Sequence, residues 1–157
     1  MDQQKIFMHE AIRLSIGNVQ SSNGGPFGAV IVKNGEIIAT GVNEVTKSND
    51  PTAHAEIIAI RNACKTLDSF QLDDCEIYCS CELCPMCLGA IYWVRPKAIY
   101  FANTKTDATE INFDDNYIYQ ELELPIHERK LLTIQLLRDE AQSAFLQWQK
   151  SDKTIDY

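Results

Sequence analysis

Side chains that bind metal ions or transfer protons occur in two short clusters, His54 with Glu56 and Cys84 with Cys87. The two cysteines are three positions apart, so in the first turn of a helix their sulfurs lie on one face and can share a tetrahedral ion. A helix N-terminus also favours thiolate over thiol, because its unpaired N–H groups carry partial positive charge. Two thiolates and one imidazole neutralise a zinc ion and leave a fourth position for water, which is typical of a catalytic site.

A water molecule in that fourth position would become reactive at neutral pH. Zinc lowers the pKa of bound water from about 15.7 to about 7, which corresponds to roughly 12 kcal/mol. Glu56, two residues after His54, is placed to accept the proton. Positions two apart in a regular helix point about 200° away from each other. We therefore expect the site to lie at the tip of the helix, where the longer glutamate side chain can reach round.

The four cysteines between positions 79 and 87 allow a second interpretation, a structural zinc site closed by four thiolates. Such a site would belong to a non-catalytic module for partner binding, in which Glu56 is dispensable. Cys79 and Cys81 fall on the inner face of a predicted strand, however. Free cysteine in that environment more often behaves as a small apolar residue, which favours the catalytic interpretation.

The apolar pattern predicts the elements that position these residues. Helices are predicted at 2–19, 50–67, 85–94 and 139–150, and strands at 27–32, 37–42, 75–81, 97–102 and 131–136. Asp50 as cap and Pro51 as first helical residue mark the start of the second helix. The pair Asn34-Gly35 marks a hairpin between the first two strands. Strands that alternate with helices predict an α/β sheet with helices on both faces.

The composition is that of a folded domain with an acidic surface. A chain of 157 residues with 45% hydrophobic and 23% charged residues favours a single domain. The net charge of -8 disfavours nucleic acid as a partner, because phosphates would be repelled. No apolar run is long enough to cross a membrane, and the first residues lack the pattern of a secretory signal. We therefore expect a cytoplasmic protein with a small neutral substrate.

Several motifs together resemble the cytidine-deaminase-like zinc superfamily, whose pattern is His-x-Glu followed by Pro-Cys-x-x-Cys. His54-Ala55-Glu56 and Cys84-Pro85-Met86-Cys87 match this pattern, while Leu83 stands where the family has proline. The segments similar to the bacterial guanine deaminase branch are 25–32, 49–56, 87–93, 113–115 and the terminal Tyr157. The resemblance covers almost the whole chain. It implies a three-layer α/β/α fold with a central mixed sheet of about five strands.

The resemblance also implies an activity, the hydrolytic removal of the 2-amino group of guanine to give xanthine and ammonia. One zinc per subunit would be held by His54, Cys84 and Cys87. Zinc hydroxide would attack C2 while Glu56 shuttles protons, first as a base and then as an acid. The backbone N–H of Ala55 would support the metal-bound oxygen.

Substrate recognition is implied at Phe27, Asn43, Trp93, Asp115 and Tyr157. Phe27 and Trp93 would stack on or edge the base, and Asn43 would offer a donor and an acceptor to a purine edge. Asp115 would approach the substrate amino group and assist proton transfer. In the guanine deaminase branch the C-terminal segment of one subunit closes over the site of the other. The resemblance therefore implies a homodimer with a swapped segment at about 138–157, in which Tyr157 caps the partner's pocket.

Other members of the superfamily leave the substrate open. The zinc chemistry is the same for cytosine or cytidine, adenine, tRNA adenosine and aminotriazines, so the pocket decides among them. A tRNA substrate would need a basic surface, which the net charge of -8 disfavours. Leu83 in place of proline leaves a freer backbone before Cys84 and an additional N–H donor.

Overall fold

A mixed sheet of four strands forms the centre of the fold in the computed structural model, which describes residues 3–155. The strands are β1 (Gly28–Lys33), β2 (Glu36–Val42), β3 (Cys75–Cys81) and β4 (Ala98–Asn103). Their order is β2-β1-β3-β4, with β1 antiparallel to both neighbours and β3 parallel to β4. The helices are α1 (Gln3–Gln20), α2 (Val45–Ser48), α3 (Ala55–Leu67), α4 (Pro85–Val94), α5 (Lys105–Glu110), α6 (Asn116–Glu123) and α7 (Arg138–Gln149).

The predicted hairpin joins β1 to β2. Asn34 and Gly35 have positive φ angles of 53° and 79°, as both central residues of a type I′ turn require. At the other end of the hairpin, the backbone N–H of Asn43 donates to the carbonyl of Phe27 at 3.2 Å. The hairpin therefore places two residues implicated in substrate binding side by side.

Helices cover both faces of the sheet, so the predicted three-layer α/β/α arrangement is confirmed. On one face, Phe7 and Ala11 of α1 pack with Tyr78 of β3. On the other face, α3 and α4 pack against Ile77 and Cys79 of the same strand. Successive residues of β3 enter opposite cores because side chains alternate along a strand.

The predicted fifth strand at 131–136 is wrong, and the sheet has four strands rather than about five. A strand is stabilised by pairing its N–H and C=O groups with a neighbour, and no described strand pairs with this segment. Its apolar side chains are between 65% and 81% exposed, namely those of Leu131, Leu132, Ile134 and Leu136. The apolar run that suggested a strand therefore contributes to no core within the described residues.

Helix α3 begins at Ala55 rather than at Pro51, which corrects the predicted start. Asp50 does not cap this helix, because its Oδ1 accepts hydrogen bonds from the N–H and the hydroxyl of Thr52, at 2.8 and 2.7 Å. Such a local contact stabilises a turn. His54 is the N-cap of the helix and has extended backbone angles, φ -73° and ψ 156°.

The residues after Asp115 form a second compact unit that begins at Asn116. It contains α6, a 3-10 turn at Ile126–Glu128 and α7, which lies where the sequence predicts the last helix. No residue between 116 and 155 is buried, so the described part of this unit has no core of its own. None of the helices in residues 3–155 has the length and hydropathy of a membrane-spanning segment.

Candidate active site

The first residues of α3 and α4 bring three metal-binding side chains together. His54 is the N-cap of α3, Cys84 is the N-cap of α4, and Cys87 lies in the first turn of α4. The Cys84 sulfur accepts a hydrogen bond from the backbone N–H of Cys87 at 3.4 Å. Pro85 suits the first helical position because the N–H it lacks has no acceptor there. Local capping rules therefore place both thiols on one helix tip.

The geometry of the three side chains fits a tetrahedral zinc ion. Nδ1 of His54 lies 3.5 Å from the sulfur of Cys84 and 3.5 Å from that of Cys87. With zinc–sulfur bonds of about 2.3 Å and zinc–nitrogen bonds of about 2.0 Å, a tetrahedral site separates sulfur from nitrogen by about 3.5 Å. All three ligand atoms lie within 4.8 Å of one another. Nδ1 is thus the ring nitrogen that faces the metal position.

Glu56 lies beside this cluster although it is only two residues from His54. The Cys87 thiol donates to Oε2 of Glu56 at 3.3 Å, and the glutamate is 6% exposed. Two helical positions this close in sequence would diverge, but the extended backbone of His54 lies outside the helical turn. The imidazole and the carboxylate therefore approach the same point from the helix tip.

The charges of the site are shaped by hydrogen bonding and burial. Hydrogen bonding with the side chains of Cys87 and His54 lowers the pKa of Cys84 to about 4. The same pairing with Cys84, together with burial, raises the pKa of Cys87. One thiolate thus forms readily, and the second forms when a cation neutralises the first. Burial raises the pKa of Glu56, so its protonated form is more accessible than that of a solvated glutamate.

Cys79 and Cys81 do not join the metal cluster. Among residues 3–155, only His54, Cys84 and Cys87 form a group with metal-binding spacing. Burial raises the pKa of Cys79 well above its usual range and that of Cys81 to about 11. The exclusion of a four-thiolate site rests on the spacing of the ligand atoms, because neither sulfur lies within the group formed by His54, Cys84 and Cys87.

Asn43 is buried at the end of the hairpin, where backbone donors hold its side chain. Its Oδ1 accepts from the N–H of Gly25 at 3.2 Å and from the N–H of Val45 at 3.3 Å. No hydrogen bond from its Nδ2 is found within residues 3–155, and this atom is not fully buried. The amide therefore keeps a donor for a ligand.

Phe27 and Asp115 are linked to the site through neighbouring residues. The rings of Phe27 and Phe113 meet edge to face, with centroids 4.9 Å apart and an interplanar angle of 88°. Asp115, two residues further on, has its pKa raised by burial and then by the negative charge of Cys84. The structure thus brings Asp115 within the electrostatic reach of the metal ligands.

The remaining implicated residues lie in different settings. Ala55 is the buried first residue of α3, where a backbone N–H has no acceptor within the helix. Trp93 is 61% exposed near the end of α4, roughly 13 Å along the helix axis from Cys84, so its ring is not brought to the metal cluster. Tyr157 lies outside the described residues. Leu83 is 6% exposed and packs in the core with α3 and α4.

Sequence reasoning missed two features that support the site, one polar and one steric. Asn18 is buried on α1 and bonds to the backbone of Asn43, while Gly41 allows β2 to approach α3 closely. A pattern for Asn18 does exist, because it continues the buried face of α1 formed by Phe7 and Ala11. A polar residue on a core-facing stripe is a candidate for a specific hydrogen bond.

Known proteins share the fold and much of the sequence of this chain. The model of the cytidine and deoxycytidylate deaminase zinc-binding region matches residues 1–103. Guanine deaminase of Bacillus subtilis strain 168 is 54% identical over 151 residues, which cover 96% of this chain and 97% of the relative. The X-ray structure of Bacillus subtilis guanine deaminase matches with a TM-score of 0.95, at 53% identity, and 98% of each chain is covered.

Two further relatives are more distant. A solved guanine deaminase from Nitrosomonas europaea has a TM-score of 0.66 and 33% identity, covering 69% of this chain and 63% of that one. The tRNA-specific adenosine deaminase of Aquifex aeolicus is 46% identical over 77 residues, which cover 49% of this chain and 51% of the relative. Because the family model, the sequence of a full-length relative and the fold all match, the chain belongs to the zinc-binding cytidine and deoxycytidylate deaminase family.

Proposed function

We propose that this protein is a zinc-dependent guanine deaminase that produces xanthine and ammonia in purine catabolism or salvage. The observation that carries the proposal is the convergence of two thiols, an imidazole nitrogen and a buried carboxylate at the tips of α3 and α4. Similarity to guanine deaminase of Bacillus subtilis extends over 96% of the chain, whereas the tRNA-specific relative from Aquifex aeolicus covers 49%. The full-length similarity favours guanine over the other aminated bases.

His54, Cys84 and Cys87 would hold the zinc ion, which when bound acts as a Lewis acid that makes water nucleophilic. Glu56 takes the proton of the attacking water and passes it to a ring nitrogen of the base. It then helps to protonate the departing amino group as ammonia, and its burial favours this alternation between base and acid. The N–H of Ala55, at the start of α3, would support the attacking oxygen.

The base would be bound by residues at the ends of strands and in loops. Asn43 uses its Oδ1 for two backbone N–H groups, so its Nδ2 is the group that donates to an acceptor on the purine. Phe27, fixed against Phe113, provides an aromatic surface beside the base. Asp115 accepts from the amino group of the substrate and assists its protonation. Trp93, whose exposed ring lies on α4 away from the metal position, would contact the far edge of the base.

The assembly we propose is a homodimer in which the segment at about 138–157 is swapped between subunits. Support comes from the absence of any buried residue between 116 and 155, although α7 carries large apolar side chains. Those of Phe145, Leu146 and Trp148 are all at least half exposed. Burying them on a partner would be favourable by about 25 cal/mol for each Å² of apolar surface. Tyr157 would cap the pocket of the partner subunit. The cytoplasmic location stays a prediction.

An ammonia-release screen of guanine, guanosine, adenine, cytosine and cytidine tests the reaction and the substrate together. Guanine should give the highest rate in the zinc-loaded protein. The Glu56→Ala variant should keep one zinc per chain and lose about 10²- to 10⁴-fold in rate, the usual contribution of a general acid–base group. Glu36→Ala, which removes an exposed carboxylate on β2, is the control and should leave the rate unchanged. A zinc-loaded protein that releases ammonia from none of these compounds would refute the proposed function.

Truncation tests the swapped segment. Removal of residues 155–157 should impair guanine turnover and leave zinc content and thermal unfolding unchanged, because these residues lie beyond α7. Sedimentation should show a dimer before and after the truncation. Full activity of the shortened chain would contradict the role given to Tyr157, and a monomeric active protein would contradict the swap.

A further inference from the structure

We propose that Asn18 of α1 is a positioning residue for guanine recognition, because its side-chain amide ties the loop at 23–27 to the backbone of Asn43. Asn18 would not touch the base. It would hold Asn43 in the orientation that presents its free Nδ2 to the purine. The inference rests on the proposed function, in which Asn43 binds the substrate.

The tie consists of two short hydrogen bonds from one buried amide. Nδ2 of Asn18, which is 3% exposed, donates to the carbonyl of Gly25 at 2.8 Å and to the carbonyl of Asn43 at 2.9 Å. These two carbonyls belong to separate segments, one before β1 and one after β2. The amide therefore joins the two segments at the place where they approach each other.

The amide oxygen of Asn18 indicates that asparagine is present at this position for the N–H donors of its side chain. Oδ1 of Asn18 is buried and has no hydrogen-bond partner within residues 3–155. An unpaired buried acceptor destabilises a folded protein, so packing alone would favour an apolar side chain here. The double donor accounts for the presence of asparagine.

The side chain of Asn43 depends on this tie because its own bonds are long. Its Oδ1 accepts from Gly25 at 3.2 Å and from Val45 at 3.3 Å, whereas N–H···O bonds usually lie near about 2.9 Å. Gly25 thus donates to Asn43 through its N–H and accepts from Asn18 through its carbonyl. Without Asn18, the Gly25 carbonyl keeps only its local bond from the N–H of Phe27 at 2.8 Å, which does not join the loop to Asn43. The loop and one of the two donors that orient the Asn43 amide are then held less firmly.

Gly24 provides an independent way to disturb the same contact. A Cβ at this position would lie 2.1 Å from the backbone oxygen of Asn43. The loop and Asn43 therefore pack backbone against backbone, without room for a side chain. Gly24→Ala should push the loop away while Asn18 itself remains unchanged.

Steady-state kinetics with guanine separates positioning from folding. Asn18→Ala and Gly24→Ala should each raise KM by about 3- to 10-fold, the value of one hydrogen bond to a ligand. The kcat should stay within about twofold, since a contact made equally in the ground and transition states changes KM alone. Asn62→Ala is the matched control, because the exposed Asn62 also donates to a distant carbonyl, that of Thr40 at 3.0 Å. Its KM should equal that of the parent.

Equilibrium binding gives a readout that does not depend on turnover. In the Glu56→Ala background, calorimetry with guanine should show the same 3- to 10-fold weakening on adding Asn18→Ala. Asn18→Ser, which retains one donor, should fall between asparagine and alanine, and it replaces the alanine variant if that variant does not fold.

An unchanged KM and guanine affinity in a folded Asn18 variant would overturn the positioning role while the proposed function stands. So would a fall in kcat and melting temperature at constant KM, which describes a purely structural residue. A parent protein that neither binds nor deaminates guanine would overturn both the proposed function and the inference built on it.

Discussion

Replacing Gly41 of β2 by alanine should weaken zinc binding although Gly41 is not a ligand. A Cβ at this position lies 2.1 Å from the backbone oxygen of Ala55 and 2.5 Å from the nitrogen of Ala59. Ordinary contacts begin at 3.4 Å, so β2 and the first turn of α3 must separate by about 1.3 Å. His54 directly precedes that turn, and metal–ligand distances tolerate only about 0.2 Å. The imidazole would therefore leave its position relative to the thiols of α4.

The zinc affinity of the Gly41→Ala variant should be lower by about 10- to 100-fold, which is the usual effect of disturbing groups that orient metal ligands. Overpacking should also cost about 1–3 kcal/mol, or roughly 2–12 °C in melting temperature at this chain length. Competition with a chromogenic chelator measures the first quantity, and circular dichroism during heating measures the second.

Gly17→Ala provides the control for the Gly41 experiment. A Cβ at Gly17 meets no atom within 4 Å, and alanine within a helix should be more stable by about 0.5–1 kcal/mol. Equal zinc affinity and equal melting temperature in the two variants would refute the argument from the close approach of β2 to α3.

Three further outcomes are expected. Removing zinc with a chelator should abolish ammonia release and lower the melting temperature, and added zinc should restore both. The melting temperature should fall because two of the ligands are the N-caps of α3 and α4, so the ion joins two helices. A melting temperature that is independent of zinc would contradict this placement of the ligands. Cys84→Ser should lose the zinc while Cys79→Ala keeps one ion per chain, and loss of zinc in both variants would favour a four-thiolate site. Leu83→Pro should lower the free energy of unfolding by about 2–4 kcal/mol, because a buried leucine side chain is lost. The zinc stoichiometry should not change. A urea unfolding curve equal to that of the parent would contradict the expected loss of stability.

Local sequence rules were sufficient for the metal cluster and for most of the fold. The spacing of Cys84 and Cys87, with proline between them, predicts two thiols on one helix tip, and capping geometry produces that result. The same rules failed at Asp50, where the aspartate bonds to Thr52 instead of starting a helix. Both arrangements satisfy a backbone N–H with the same carboxylate, so the sequence pattern alone does not distinguish them.

Features that depend on distant partners were not predictable in this way. The apolar segment at 131–136 has the pattern of a strand, yet whether it pairs depends on an available strand edge rather than on its own residues. Asn18 bonds to carbonyls 7 and 25 positions away. A helical pattern reports that Asn18 faces the core, but the identity of its acceptors follows only from how α1 and the hairpin pack.

The division of the site between helix starts and loops has a consequence for changing its substrate. His54 and Cys84 occupy the residues at which two helices begin, and both helices are packed into the core. Three of the residues proposed to contact the base, Phe27, Asn43 and Asp115, lie instead outside regular elements. Engineering for another aminated ring should therefore confine its mutations to those loops, where new shapes can be sampled while the metal chemistry and its supporting core are inherited intact.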